Sequence, residues 1–205
     1  MRTLAIALLA CPLIASAGTV NLIQNGSFES NQVASWAKFN SLSGWTAGAL
    51  GVELRNNVSG SALDGKNFVE LDTTGNSWIS QTFATVVGQT YTLSFAYAQR
   101  PDQKKPTSDG KSSNGLLWSA GNVSSFLVGQ DANTAWTPVV SQFKATSSST
   151  TLKFEAAGLS DSYGTSLDNI SVTSAVPEPS SYALMLAGLA AMGFVARRRA
   201  KRNAV

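Results

Sequence analysis

Any chemistry in this chain has to be done without histidine, because its 205 residues contain none. Its one cysteine is Cys11. A Ser-His-Asp triad, a Cys-His pair and a His-ligated zinc site are therefore excluded, as are a disulfide framework and a Cys-x-x-Cys metal site. Carboxylates, aromatics and cations remain. Glycoside hydrolysis needs two carboxylates set across a cleft. Glu53, Glu70, Asp72, Glu155 and Asp161 are available, but nothing in their spacing singles out a pair. Glu70 and Asp72 stand two apart on a strand pattern and so share a side, as residues of a solvated sheet face also do. The sequence points away from catalysis. Aromatic rings offer a different chemistry: an exposed tryptophan can stack on the C–H face of a sugar. Trp118, which follows a long polar segment, and Trp136, between Thr134 and Pro138, are the candidates for such a platform. Arg100 and Tyr163 are candidate polar partners. Each tryptophan also reads as a half-buried packing residue, and Trp45, just after Gly44, reads as core.

The elements that would position these side chains are strands. Aromatic and β-branched runs recur at 20–24, 51–55, 67–72, 78–83, 90–97, 125–128, 139–145, 151–156 and 167–173. Segments 67–72 and 91–97 alternate apolar and polar residues at period two, as half-buried strands do. Asn25-Gly26, Asp64-Gly65, Val87-Gly88-Gln89 and Gly158 supply turn signals between them. No amphipathic helical pattern of ten or more residues precedes residue 180. Many short strands in about 157 residues predict an all-β, two-sheet sandwich or jelly roll. The expected core is Phe28, Trp45, Phe68, Val69, Leu71, Ile79, Phe83, Leu93, Phe95, Phe143, Leu152, Phe154, Leu167 and Ile170. Residues 98–116 read as one long loop, which is longer than most structural connections. It carries Arg100, Lys104, Lys105 and Lys111, so it reads either as a rim for anionic polysaccharide or as a plain surface loop.

The net charge of +3 and the isoelectric point near 9.1 normally suggest an anionic partner. Here the excess sits in Arg197, Arg198, Arg199, Lys201 and Arg202. Residues 18–176 hold nine basic and eleven acidic side chains, a net −2. Nucleic-acid binding is rejected on that ground.

Both ends read as addresses. Arg2 is followed by an apolar run at 4–14 and then Ala15-Ser16-Ala17, the layout of a signal peptide (1–17) cleaved by signal peptidase after Ala17. A lipoprotein signal acting on Cys11 and a buried N-terminal helix are the weaker readings. At the other end, Val176-Pro177-Glu178-Pro179-Ser180 precedes an uncharged stretch at 182–196 and then Arg197-Arg198-Arg199. Those fifteen residues span about 22 Å as a helix, short against the ~30 Å hydrocarbon core. A membrane helix over 181–196 with a cytoplasmic basic tail (197–205) is expected from the positive-inside rule.

This order of V-P-E-P, short apolar helix and arginine cluster resembles the PEP-CTERM sorting signal of Gram-negative bacteria, also catalogued as an ice-binding-protein C-terminal domain. The resemblance implies that exosortase recognises Pro177, Glu178 and Pro179 and removes the helix, with Arg197, Arg198 and Arg199 closing the signal. A plain single-pass anchor is the alternative.

The region between (18–175) also carries a resemblance. It opens on Asn21-Leu22-Ile23-Gln24-Asn25-Gly26-Ser27-Phe28-Glu29 and closes on Gly164-Thr165-Ser166-Leu167-Asp168-Asn169-Ile170-Ser171-Val172. Between these lie Gly44-Trp45, residues 64–72, Ser80-Gln81-Thr82-Phe83 and residues 88–95. These blocks resemble the galactose-binding-domain-like jelly rolls, in particular the domain-of-unknown-function family of plant cell-wall proteins and its choice-of-anchor C relatives. The resemblance implies a jelly roll in which Glu29 and Asp168 hold a structural calcium; the alternative is that both carboxylates take backbone N–H bonds. The expectation is an exported, exosortase-sorted, non-catalytic protein of the envelope or extracellular matrix whose domain binds exopolysaccharide or cell-wall glycan. The alternative is a structural or adhesive matrix protein with no defined small ligand.

Overall fold

The computed structural model describes residues 19–100, 112–128, 135–174 and 181–202. Within the unit Val20–Ala175, twelve strands form two six-stranded antiparallel sheets. Sheet A has the order β1 (Trp36–Phe39), β4 (Val52–Asn56), β5 (Asn67–Glu70), β12 (Ser166–Ser174), β7 (Thr90–Ala98), β10 (Thr137–Lys144). Sheet B has the order β2 (Ser41–Leu42), β3 (Trp45–Ala47), β6 (Trp78–Ala84), β11 (Ser149–Ala156), β8 (Gly115–Ala120), β9 (Val123–Val128). The crossovers between non-consecutive neighbours are those of a jelly-roll sandwich.

Alternation fixes which residues enter the core. In β7, Tyr91, Leu93 and Phe95 point inward; in β11, Leu152 and Phe154 do. Phe95 meets Phe154 edge-on at 4.9 Å between ring centroids, and Trp45 lies 6.4 Å from Phe154 and 5.9 Å from Phe28. The whole core cluster falls between Ile23 and Val172, so this unit carries a complete core of its own. Every side chain expected in the core is buried. Phe68 is the exception in kind, because it is buried on the outer side of sheet A and not between the sheets.

Two sequence expectations are corrected here. Residues 20–24 do not form a strand: they touch sheet A through the single bridge Asn21↔Thr173 and the Leu22 N–H donating to Val172 O, and sheet B through the side chain of Gln81, which bonds both Gln24 N and O. A glutamine amide replaces a strand neighbour. In the Asn25-Gly26 turn it is Asn25 that has positive φ, at +54°. Gly26 is required because an added Cβ would sit 2.0 Å from Ile170 O. Second, the segment 98–116 ends in a strand, since β8 begins at Gly115; residues 101–111 lie outside the described ones.

Helix α1 (Ser181–Arg202) belongs to the other unit. It does not stop at 196 but continues through the arginine cluster. Its uncharged part is too short, so α1 is not long and apolar enough to cross a membrane. Ala15, Ala17, Pro177, Glu178 and Pro179 lie outside the described residues.

Candidate functional site

The outer face of sheet A carries side chains that a solvated sheet face does not bury. Cross-strand register places Trp36 opposite Arg55, Arg55 opposite Phe68, Glu53 opposite Glu70 and Glu70 opposite Ser166. Two carboxylates facing each other across strands repel. Arg55 resolves this: its Nη2 donates to Glu53 Oε2 at 2.5 Å and pairs with Glu70 Oε2 at 2.8 Å. Arg100, two residues beyond β7, adds a second cation. Its Nη1 reaches Glu70 Oε1 at 3.3 Å and Ser162 O at 3.0 Å, and its Cζ lies 4.6 Å from the centre of the Tyr163 ring. The Gly164 N–H donates to Glu70 Oε1 at 2.7 Å. Glu70 and Asp72 are both fully buried, so neither lies on a solvated sheet face. Burial pushes the Glu70 carboxyl up to about 7, partly offset by Arg55, the Gly164 N–H and Arg100. Burial likewise raises Asp72, offset by the N–H groups of Asp161 and Ser162.

Above this network lies a cavity of about 300 Å³. Trp36 and Tyr163, 53% and 39% exposed, line it together with Glu53, Arg55 and Arg100. Val58 and Ser59 of the β4–β5 loop form another part of the rim. Arg55 is 4% exposed, and its Nε has no hydrogen-bond partner among the described residues. Guanidinium donors beside a carboxylate acceptor suit hydroxyl groups, each of which both gives and takes a hydrogen bond. Aromatic walls around a few fixed polar groups are the usual makeup of a small-molecule site.

The same face anchors the β4–β5 loop. Asp168 Oδ2 accepts from the N–H of Leu63 (2.8 Å) and Asp64 (3.0 Å), and Oδ1 from that of Asn169 (2.6 Å). Glu29 Oε1 accepts from the N–H of Lys66 (2.8 Å) and Asn67 (2.6 Å). Trp136 Nε1 donates to Ser61 O at 2.8 Å, while its ring packs edge-on against Phe68 at 5.9 Å. Glu29 and Asp168 thus meet at one loop as backbone caps. Three N–H donors on Asp168 and two on Glu29 Oε1 match the reading in which both carboxylates take backbone N–H bonds. Among the described residues, no cluster of three or more His, Cys, Asp or Glu suited to a metal occurs. Burial raises Asp168 to about 6 against the pull of these N–H groups.

Of the four candidate ligand residues, Arg100 and Tyr163 come together at the cavity. Trp136 is half-buried and is spent on holding the loop. Trp118 is corrected outright: it is 3% exposed, points into the core from β8 and meets Phe95 edge-on at 5.8 Å. Trp36 is the aromatic that sequence reasoning missed. A larger cavity of about 480 Å³ lies by Gln24, Thr46, Ser80 and Gln81; it is lined by uncharged side chains, and the Gln81 amide is already spent on Gln24.

A family model described as "Protein of unknown function (DUF642)" matches residues 21–173. The chain belongs to the DUF642 family. A PEP-CTERM protein-sorting motif matches residues 175–199, which makes this an exported, exosortase-sorted protein of the cell envelope or surface. No curated protein matches the chain. Among solved structures, it is similar to a family 61 carbohydrate-binding module in complex with β-1,4-galactotriose, with TM-score 0.51 and 13% identity over 75% of this chain and 97% of that one. It is also similar to a family 16 carbohydrate-binding module, with TM-score 0.48 and 18% identity over 74% of this chain and 99% of that one. At 13% identity the likeness to the family 61 module shows the fold alone.

Proposed function

We propose that the domain binds extracellular polysaccharide, exopolysaccharide or cell-wall glycan, at the outer face of sheet A. One observation carries this reading: the exposed rings of Trp36 and Tyr163 border a cavity floored by Glu53, Arg55 and Arg100. The galactotriose bound by the family 61 module of shared fold supports a glycan as the ligand class. The ring walls take the C–H faces of the sugar, and the charged floor reads its hydroxyls. Glu70 stands behind the floor with both oxygens occupied and fixes the two arginines, so the site binds and does not turn over its ligand. In this reading signal peptidase cleaves after Ala17, and exosortase acts on Pro177, Glu178 and Pro179 ahead of Arg197–Arg199.

The test is affinity electrophoresis of the Val20–Ala175 unit against a panel of exopolysaccharides and cell-wall glycans. Trp36→Ala and Tyr163→Ala should each cut retention, by roughly tenfold if ring stacking is worth ~1–3 kcal/mol as it is for nucleic-acid bases. Melting temperatures should move little, because both rings lie at the rim of the cavity and neither belongs to the core cluster. Retention unchanged in both variants would remove the site.

A further inference from the structure

Sheet B ends on a strand that is unprotected. A sheet edge shows a row of free N–H and C=O groups, and natural proteins blunt such edges with charge, proline or brevity. The other three edges here do so. In sheet A, β1 is four residues long and carries Lys38, while β10 carries Pro138 and Lys144. In sheet B, β2 is two residues long. The fourth edge, β9, has the sequence Val-Ser-Ser-Phe-Leu-Val, six residues with no charge, no proline and no glycine. Ser124, Ser125 and Phe126 are exposed, Phe126 to 52%.

The β8–β9 hairpin fixes which groups are free. Ala120 pairs Val123 across the two-residue turn Gly121-Asn122. In an antiparallel ladder, hydrogen-bonded pairs alternate with non-bonded ones, starting from the pair that flanks a two-residue turn. Val123, Ser125 and Leu127 therefore bond to β8, and Ser124, Phe126 and Val128 turn their N–H and C=O outward. On the outer face the row Trp78, Glu155, Leu117, Phe126 runs in register across four strands and ends in this open edge.

We propose that β9 pairs antiparallel with β9 of a second copy of this chain, joining two B sheets into one continuous sheet about a two-fold axis. The strand is self-complementary: it carries no charge to repel its copy, and an alignment centred on Phe126 sets each Ser124 opposite the other Val128. That register makes about six inter-strand hydrogen bonds from groups otherwise left to water. It also faces Phe126 with its own copy, the aromatic cross-strand pair that sheets favour. The glycan site lies on the outer face of the other sheet, so the dimer presents two sites and leaves both open.

The test is the mass of the full chain in mild detergent by light scattering coupled to size exclusion, up to high micromolar concentration. Wild type should run as two chains. Phe126→Lys places like charges opposite each other and should give one chain. Ser124→Pro should do the same while leaving the monomer's melting temperature nearly unchanged, because it removes an N–H that bonds nothing within the chain. Val140→Lys on the β10 edge should remain a dimer. A wild-type monomer overturns the proposal. So does a dimer that survives both β9 substitutions, as one held through α1 would.

Discussion

Raising the pH from about 4 to about 8 should weaken the folded domain, because its buried carboxylates keep their protons longer than the unfolded chain does. Burial dominates at Glu70 and takes its carboxyl from 4.5 to about 7. It takes Asp168 from 3.8 to about 6. Between the two values of each pair the native state binds more protons than the unfolded one, so stability falls as pH rises through that window. At ~1.4 kcal/mol per pH unit, each group accounts for about 3 kcal/mol. Asp72 is raised as well and acts in the same direction. For a domain of this size, about 3 kcal/mol corresponds to a Tm change of roughly 6–12 °C. The assay is a series of urea melts of the Val20–Ala175 unit at pH 4, 5, 6, 7 and 8, for wild type and Glu70→Gln. Wild type should lose stability steadily, with the part above pH 6 belonging mainly to Glu70. Glu70→Gln should flatten that upper part. A profile that is level or rises toward pH 8 would refute the reasoning, as would a variant with the wild-type slope.

Three further outcomes follow from the placements. Trp118→Ala should cost about 3–5 kcal/mol, the price of emptying a core tryptophan, whereas Trp36→Ala should cost well under 1 kcal/mol; urea melts of the two variants check the contrast. Adding calcium to metal-free protein, or chelator to the native protein, should leave Tm unchanged, because both Asp168 oxygens and Glu29 Oε1 already accept backbone N–H groups. Intact-mass measurement of envelope or secreted material should show a chain that has lost α1; full-length protein at its final location would contradict exosortase processing.

The sandwich was legible because its long strands alternate cleanly: segments 78–83, 90–97 and 151–156 correspond to β6, β7 and β11. Short strands were not. β1, β2 and β3 span two to four residues, too few for period two to show. β8 was hidden by reading the loop through to residue 116, although Gly-Leu-Leu-Trp-Ser-Ala already alternates Leu116, Trp118 and Ala120 against Leu117 and Ser119. Read at the end of that loop, Trp118 looks like an exposed platform; the alternation instead turns it inward. Arg100 and Tyr163 were found because a cation and an aromatic at loop ends carry their chemistry in their residue types. Trp36 was missed because its role depends on the register that sets it opposite Arg55. The burial of Glu53, Arg55 and Glu70 was equally illegible: Val-Glu-Leu-Arg-Asn alternates like any half-exposed strand, and only the loops folded over the sheet remove its polar face from water.

The most direct test of the glycan site follows the five indole N–H signals of the Val20–Ala175 unit by NMR while a retained oligosaccharide is titrated in. Trp36 should shift and saturate with the ligand, and Trp45 and Trp118, both in the core, should stay in place. A ligand that binds while Trp36 stays still, or that moves Trp78 on the opposite sheet instead, would contradict the assignment of this face.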